Sequence, residues 1–152
     1  MLVCRQGAKG IVLFAAIWLA MGCSSVDSQP RGATQSLYDR LGGKTAITAV
    51  IDRFVANVAG DTRIKGRFVT TDIARLKNNL VDQVCMATGG PCTYTGRDMK
   101  ATHAGMSITT GDFNALVQDL VAALDAFKVP ENEKTELLGI LGPMKKDIVE
   151  IP

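Results

Sequence analysis

The sequence predicts an all-α domain behind an export segment, and three observations carry that expectation. Apolar residues recur at helical spacing through most of the chain after residue 36. No stretch of useful length alternates with the two-residue period of a strand. Glycine pairs, Gly42-Gly43 and Gly89-Gly90, and short polar side chains fall where one stripe ends and the next begins.

In chain order, Arg5 and Lys9 precede the apolar run Ile11 to Ala20, and Met21-Gly22-Cys23 follows. A cationic head, an apolar middle too short to span a bilayer comfortably and small residues at the end are the parts of a signal peptide, here residues 1–22. A permanent anchor helix is the alternative. Leu19-Ala20-Met21-Gly22-Cys23 resembles the bacterial lipobox, in which the cysteine is acylated and becomes the first mature residue. Ser24 after Cys23 is similar to Gram-negative lipoproteins held at the periplasmic face of the outer membrane. Residues 23–35, with Pro30 and Gly32, read as a lipidated polar tether, and residues 36–150 as one domain.

Within the domain, Ser36 with Asp39 three residues on caps a short helix that Gly42-Gly43 ends. From Lys44 to Ala59, the residues Ile47, Val50, Ile51, Phe54, Val55 and Val58 form one stripe, and Gly60 stops it. A loop containing Phe68 follows. Thr71 or Asp72 then caps a helix whose apolar face is Ile73, Leu76, Leu80 and Val84. A glycine-rich bend leads to a short helical piece with Met99 and His103 four apart on one face, and Gly105 turns the chain away directly after the imidazole. Thr110 is expected to cap the longest stripe, Phe113, Leu116, Val117, Leu120, Val121, Leu124 and Phe127. Val129-Pro130 separates it from the last helix, which carries Leu137, Leu141, Met144 and Ile148 and bends at Gly142-Pro143.

Removing residues 1–22 takes Arg5 and Lys9 away, so the 17 Lys and Arg fall to 15 and equal the 15 Asp and Glu. A neutral domain with no Lys/Arg cluster and few aromatics offers no phosphate-binding face, and nucleic acid is not an expected partner. Of the cysteines, Cys4 leaves with the signal and Cys23 is the lipid site. Cys85 and Cys92 remain, on either side of Gly89-Gly90-Pro91. In an oxidising compartment a bridge between them would close a loop of about eight residues and contribute ~2.5 kcal/mol in the chain-entropy model; two free buried thiols are the alternative. A metal site built from these two and His103 has neither C-x-x-C spacing nor a second histidine behind it.

His103 is the one histidine of the chain. A lone histidine is ordinarily a packed or surface residue, so its meaning depends on what surrounds it. Ser36-Leu37-Tyr38-Asp39-Arg40-Leu41-Gly42-Gly43, Gly89-Gly90-Pro91 with Tyr94-Thr95-Gly96, Met99-Lys100, and His103-Ala104-Gly105-Met106-Ser107-Ile108, at these spacings, together resemble a group 1 truncated haemoglobin. The resemblance covers essentially everything after the tether. It implies a two-over-two helical sandwich around haem, with His103 as proximal iron ligand and Phe68 stacked on the macrocycle. Haem b is the implied cofactor, since there is no C-x-x-C-H sequence for covalent attachment.

The core agrees with an enclosed cofactor. Five phenylalanines, one of them in the signal, would leave a thin interior, and a haem would fill it. Candidate wall residues are Phe68, Leu76, Leu80, Met99, Met106, Ile108, Phe113 and Val117, each of which ordinary core packing would equally explain. Lys100 or Arg97 is the candidate partner for a propionate. The sequence departs from the family on the distal side. The resemblance leads one to expect a tyrosine and a glutamine there, and the aligned positions hold Val55, and Leu76 with Leu80. Gln83 or Asn79 would supply a donor only if the distal helix were rotated.

The implied function is reversible binding of oxygen or another diatomic gas, nitric oxide or carbon monoxide, with nitric oxide detoxification, and so a dioxygenase-like activity, as an extension. The alternative is a periplasmic redox or gas-sensing haem module that works with a protein partner such as a reductase. A cofactor-free helical lipoprotein is the third reading.

Overall fold

The computed structural model describes residues 35–152. The expected signal peptide, Cys23 and the tether up to residue 34 lie outside the described residues. Helix α1 (Leu37–Arg40) begins where Ser36 Oγ accepts the Asp39 amide at 3.1 Å. It ends at Gly42, whose φ of 91° is costly for any residue with a Cβ. Tyr38 accounts for a later glycine, Gly90. Its hydroxyl accepts the Lys44 amide at 3.0 Å, and a Cβ on Gly90 would lie 2.4 Å from its ring and 2.7 Å from Cys85 Sγ.

Helix α2 (Gly43–Gly60) is the centre of the domain and packs against both α3 (Ile73–Ala87) and α5 (Thr110–Ala126). Its buried residues are Ile47, Val50, Ile51, Phe54, Val55 and Val58, the stripe expected from their spacing. Each such side chain removed from water is worth about 1.5–3 kcal/mol, which is why this helix anchors the rest. The segment with Phe68 is a 3₁₀ turn, Lys65–Phe68, rather than an irregular loop.

On α3 Asp72, one of the two expected caps, accepts the Arg75 amide at 3.0 Å, but the expected buried face needs correction. The buried face is Val81, Val84 and Cys85, while Leu76 and Leu80 are half-buried and Ile73 is 40% exposed. Core-facing and cavity-facing residues of this helix are both apolar, and the hydrophobic stripe followed the second set. After Gly89 (φ 86°) the chain turns back, and Cys85 and Cys92 are bonded with an S–S distance of 1.98 Å. Asp98 then caps α4 (Met99–His103) through the Ala101 amide at 2.7 Å.

The cap of α5 is Thr109 and not Thr110. Thr109 and Asp112 form a reciprocal capping box, which fixes the helix start one residue earlier than the apolar pattern suggests. Ala115, Ala123 and Leu124 are its buried residues. Phe127 lies beyond the last helical residue and is 49% exposed, so it leaves the predicted stripe. Helix α6 (Glu131–Leu141), a 3₁₀ turn (Gly142–Met144) and α7 (Lys145–Ile148) replace one bent helix, with the break where Gly142-Pro143 requires it. Leu137 is buried; Leu141, Met144 and Ile148 are half-buried. Among the described residues the only extended pairing is a parallel bridge between Thr109 and Ile151, and no helix is long and apolar enough to cross a membrane.

Candidate functional site

Helix α4 ends on His103, whose Nδ1 lies 2.8 Å from the Met99 carbonyl oxygen one turn back. A carbonyl only accepts, so this contact assigns a hydrogen to Nδ1, and of the two neutral tautomers it selects the one with the lone pair on Nε2. Nε2 makes no hydrogen bond among the described residues.

His103 and Leu116 border three cavities of about 170, 200 and 150 Å³. The first lies against Phe68, Leu76, Met106, Ile108 and Phe113. The second is walled by Phe54, Val55, Val58, Phe68, Ile73, Leu76 and Leu80, and among the described residues His103 is the only side chain with a polar atom in that wall. The third lies against Leu80, Met99, Phe113 and Val117. The structure therefore brings every residue of the predicted pocket to one place, around one imidazole. Val55 comes from α2, Leu76 and Leu80 from α3, Met99 and His103 from α4, and Phe113 and Val117 from α5. The half-buried face of α3 is explained by these cavities.

Three polar groups fall elsewhere than the sequence suggested. Gln83 borders the third cavity and not the one beside Val55; its Nε2 lies 3.6 Å from Met99 Sδ and 3.5 Å from Met144 Sδ. Arg97 donates to the Ala101 carbonyl at 2.6 Å, and neither it nor Lys100 borders any of these three cavities. The basic residue at the first cavity is Arg67, which the sequence reading did not single out. Arg67 donates to the Met106 carbonyl at 2.6 Å and to Asp112 at 2.7 Å, joining the 3₁₀ turn beside Phe68 to the loop after His103. Asp112 is held below the usual carboxylate range, first by the Thr109 amide and hydroxyl and then by Arg67. On the other side of the loop, the Gly105 and Ser107 amides hold the Glu150 carboxyl below its ordinary value.

Residues 36–150 match the family described as bacterial-like globin. The chain belongs to that family. This globin is 38% identical over 113 residues to the "Group 1 truncated hemoglobin GlbN" of Mycolicibacterium paratuberculosis, covering 74% of this chain and 83% of the relative. It is 30% identical over 115 residues to the "Group 1 truncated hemoglobin" of Tetrahymena pyriformis, covering 76% and 95%. The crystal structure of the Tetrahymena pyriformis protein in its Fe(III) form superposes with a TM-score of 0.73 at 30% identity, over 76% of this chain and 98% of that one. A "2/2 hemoglobin" of a Synechococcus species, in the cyanomet state and with covalently attached heme, gives 0.72 at 30% identity, with the same coverages of 76% and 98%. The fold is thus the all-helical truncated globin that the sequence predicted. The cofactor of this family is haem iron, and its truncated haemoglobins bind haem and diatomic gases.

Proposed function

We propose that this globin domain binds haem b through Nε2 of His103 and reversibly binds oxygen or another diatomic gas in the chamber walled by Val55, Leu76 and Leu80. One observation carries the reading: a single imidazole, oriented by the Met99 carbonyl so that its free lone pair is on Nε2, is shared by three apolar cavities. The residues present suit a flat, mostly apolar macrocycle with one axial nitrogen ligand, and Phe68, common to two of the cavities, supplies an aromatic face. Haem, when bound, supplies the iron at which a small gas binds. The chain supplies the rest: His103 gives one nitrogen donor, Leu76, Leu80, Phe113 and Leu116 exclude water, and Val55 and Leu80 offer no hydrogen to the gas.

That last feature ranks the activities. Nitric oxide detoxification converts nitric oxide and oxygen to nitrate and requires one electron per turnover, from an unidentified reductase partner. It also needs oxygen held long enough to meet nitric oxide. A chamber without a donor shortens that stay, which supports reversible binding as the main activity. Titrating the purified protein with haemin should give one Soret band that saturates at one haem per chain. Absence of saturable binding would refute the reading.

Export belongs to the same proposal. The arrangement of residues 1–35 supports a lipoprotein acylated at Cys23 and held at the periplasmic face of a bacterial membrane, the outer membrane by the Ser24 pattern. Intact-mass measurement on the membrane fraction tests it. An unmodified cysteine, or a retained Met1 in bacteria, contradicts it.

A further inference from the structure

The loop that leaves α4 is held from two sides. Gly105 has a φ of 77° and Ser107 one of 52°, so two amides of the loop turn towards one carboxylate. Glu150 Oε1 accepts the Gly105 amide at 2.6 Å and its Oε2 accepts the Ser107 amide at 2.6 Å. The backbone of the same segment is fixed as well. The amides of Glu150 and Ile151 donate to the Ile108 carbonyl at 2.9 and 3.1 Å, and the Thr110 amide donates to the Ile151 carbonyl at 3.0 Å. From the other side Arg67 takes the Met106 and Ser107 carbonyls at 2.6 and 3.3 Å.

This clamp falls where α4 cannot hold itself. The helix has five residues, its Asp98 cap is at the far end, and His103 is its last residue. The one contact that fixes the ring from within, Nδ1 to the Met99 carbonyl, travels with the helix. A non-glycine residue in the left-handed region, as Ser107 is, persists only when its surroundings hold it there. Glu150 holds the Ser107 amide, and α7, just before it in the chain, packs on α4.

We propose that Glu150 is a positioning residue for His103: by binding the Gly105 and Ser107 amides it fixes the end of α4 and hence the angle of the imidazole. The proposal rests on the reading of His103 as haem ligand. It is tested on the full chain loaded with haem, comparing Glu150→Ala, Glu150→Gln and wild type. The readouts are the iron–histidine stretch of the ferrous protein by resonance Raman and the rate of haem transfer to excess apomyoglobin. Glu150→Ala should shift or split the stretch and speed haem loss by about three- to tenfold, as expected for loss of two hydrogen bonds to an exposed charge. Glu150→Gln keeps one acceptor oxygen in nearly the same shape and should fall between; it also serves if the alanine variant does not fold. Leu137→Ala, which weakens the core without touching this loop, should leave the stretch in place. A stretch and a haem-loss rate unchanged in both Glu150 variants overturn the positioning role alone, as does an equal shift in Leu137→Ala. Absence of the stretch from the wild-type protein overturns the reading of His103, and this proposal with it.

Discussion

Replacing Val55 by tyrosine puts a hydroxyl into a chamber whose wall, among the described residues, otherwise carries no polar side chain but His103. Dioxygen gains negative charge on binding and is retained by a hydrogen-bond donor; carbon monoxide gains little and is retained much less. A hydrogen bond to such a partly charged group is worth ~1.5–3 kcal/mol. At about 1.4 kcal/mol per factor of ten, Val55→Tyr should slow oxygen release by roughly ten- to a hundredfold and change carbon monoxide release much less. The ring has somewhere to go, since Val55 borders a cavity of about 200 Å³, but Val55 is itself only 7% exposed. Overpacking is therefore expected to cost ~1–3 kcal/mol of stability. Stopped-flow displacement of oxygen by excess carbon monoxide measures the rate, and urea unfolding the stability. A folded, haem-loaded variant that releases oxygen as fast as wild type would refute the reasoning. So would slow release in the wild type, because it would require a donor that the wall of Phe54, Val55, Val58, Ile73, Leu76 and Leu80 does not contain.

Replacing both Cys85 and Cys92 by alanine should lower stability by about 2.5 kcal/mol, or roughly 10 °C in Tm for a domain of this size; an unchanged melting curve would mean that the two thiols are not bonded in the purified protein. Asp119 makes a prediction with a definite sign. Its carboxyl is pushed up from the ordinary 3.8, first by burial and then by the charge of Asp61, and its Oδ2 is buried with no hydrogen-bond partner among the described residues. A raised carboxyl contributes fully below its unfolded value and loses that contribution as pH rises through its folded value. Asp119→Asn should therefore gain stability over wild type as pH rises above 3.8, as read by urea midpoints. A wild-type advantage at neutral pH would contradict this.

Much of the fold could be read from spacing because most helices have one buried face and a polar or glycine boundary. The α2 stripe and the break at Gly142-Pro143 are of this kind. The errors on α3 share a cause: Ile73, Leu76 and Leu80 line cavities while Val81 and Cys85 fill the core, and apolarity alone does not tell a wall from an interior. Thr109 was displaced by its neighbour Thr110 because both are β-hydroxy residues, and only the reciprocal bond with Asp112 distinguishes them. Of the residues that border the three cavities, His103, Phe68, Val55, Leu76 and Leu80 were singled out through a family resemblance carried by motifs, and Met99, Met106, Ile108, Phe113 and Val117 only as apolar residues that core packing would equally explain. Arg67 and Glu150 were not, since each acts on backbone groups about 40 residues away in sequence and leaves no local pattern. Gln83 illustrates the opposite difficulty. It has the right chemistry for a distal donor, but its helical phase carries it to the methionines of the neighbouring cavity.

The central claim is that His103 is the nitrogen ligand on which haem binding rests, and one variant tests it most directly. His103→Gly should show no wild-type ferrous spectrum when mixed with one equivalent of haem, because no second histidine exists to replace it. Adding free imidazole should restore that spectrum, since it returns the missing donor to the space the side chain left. A wild-type spectrum from His103→Gly without imidazole would contradict the account.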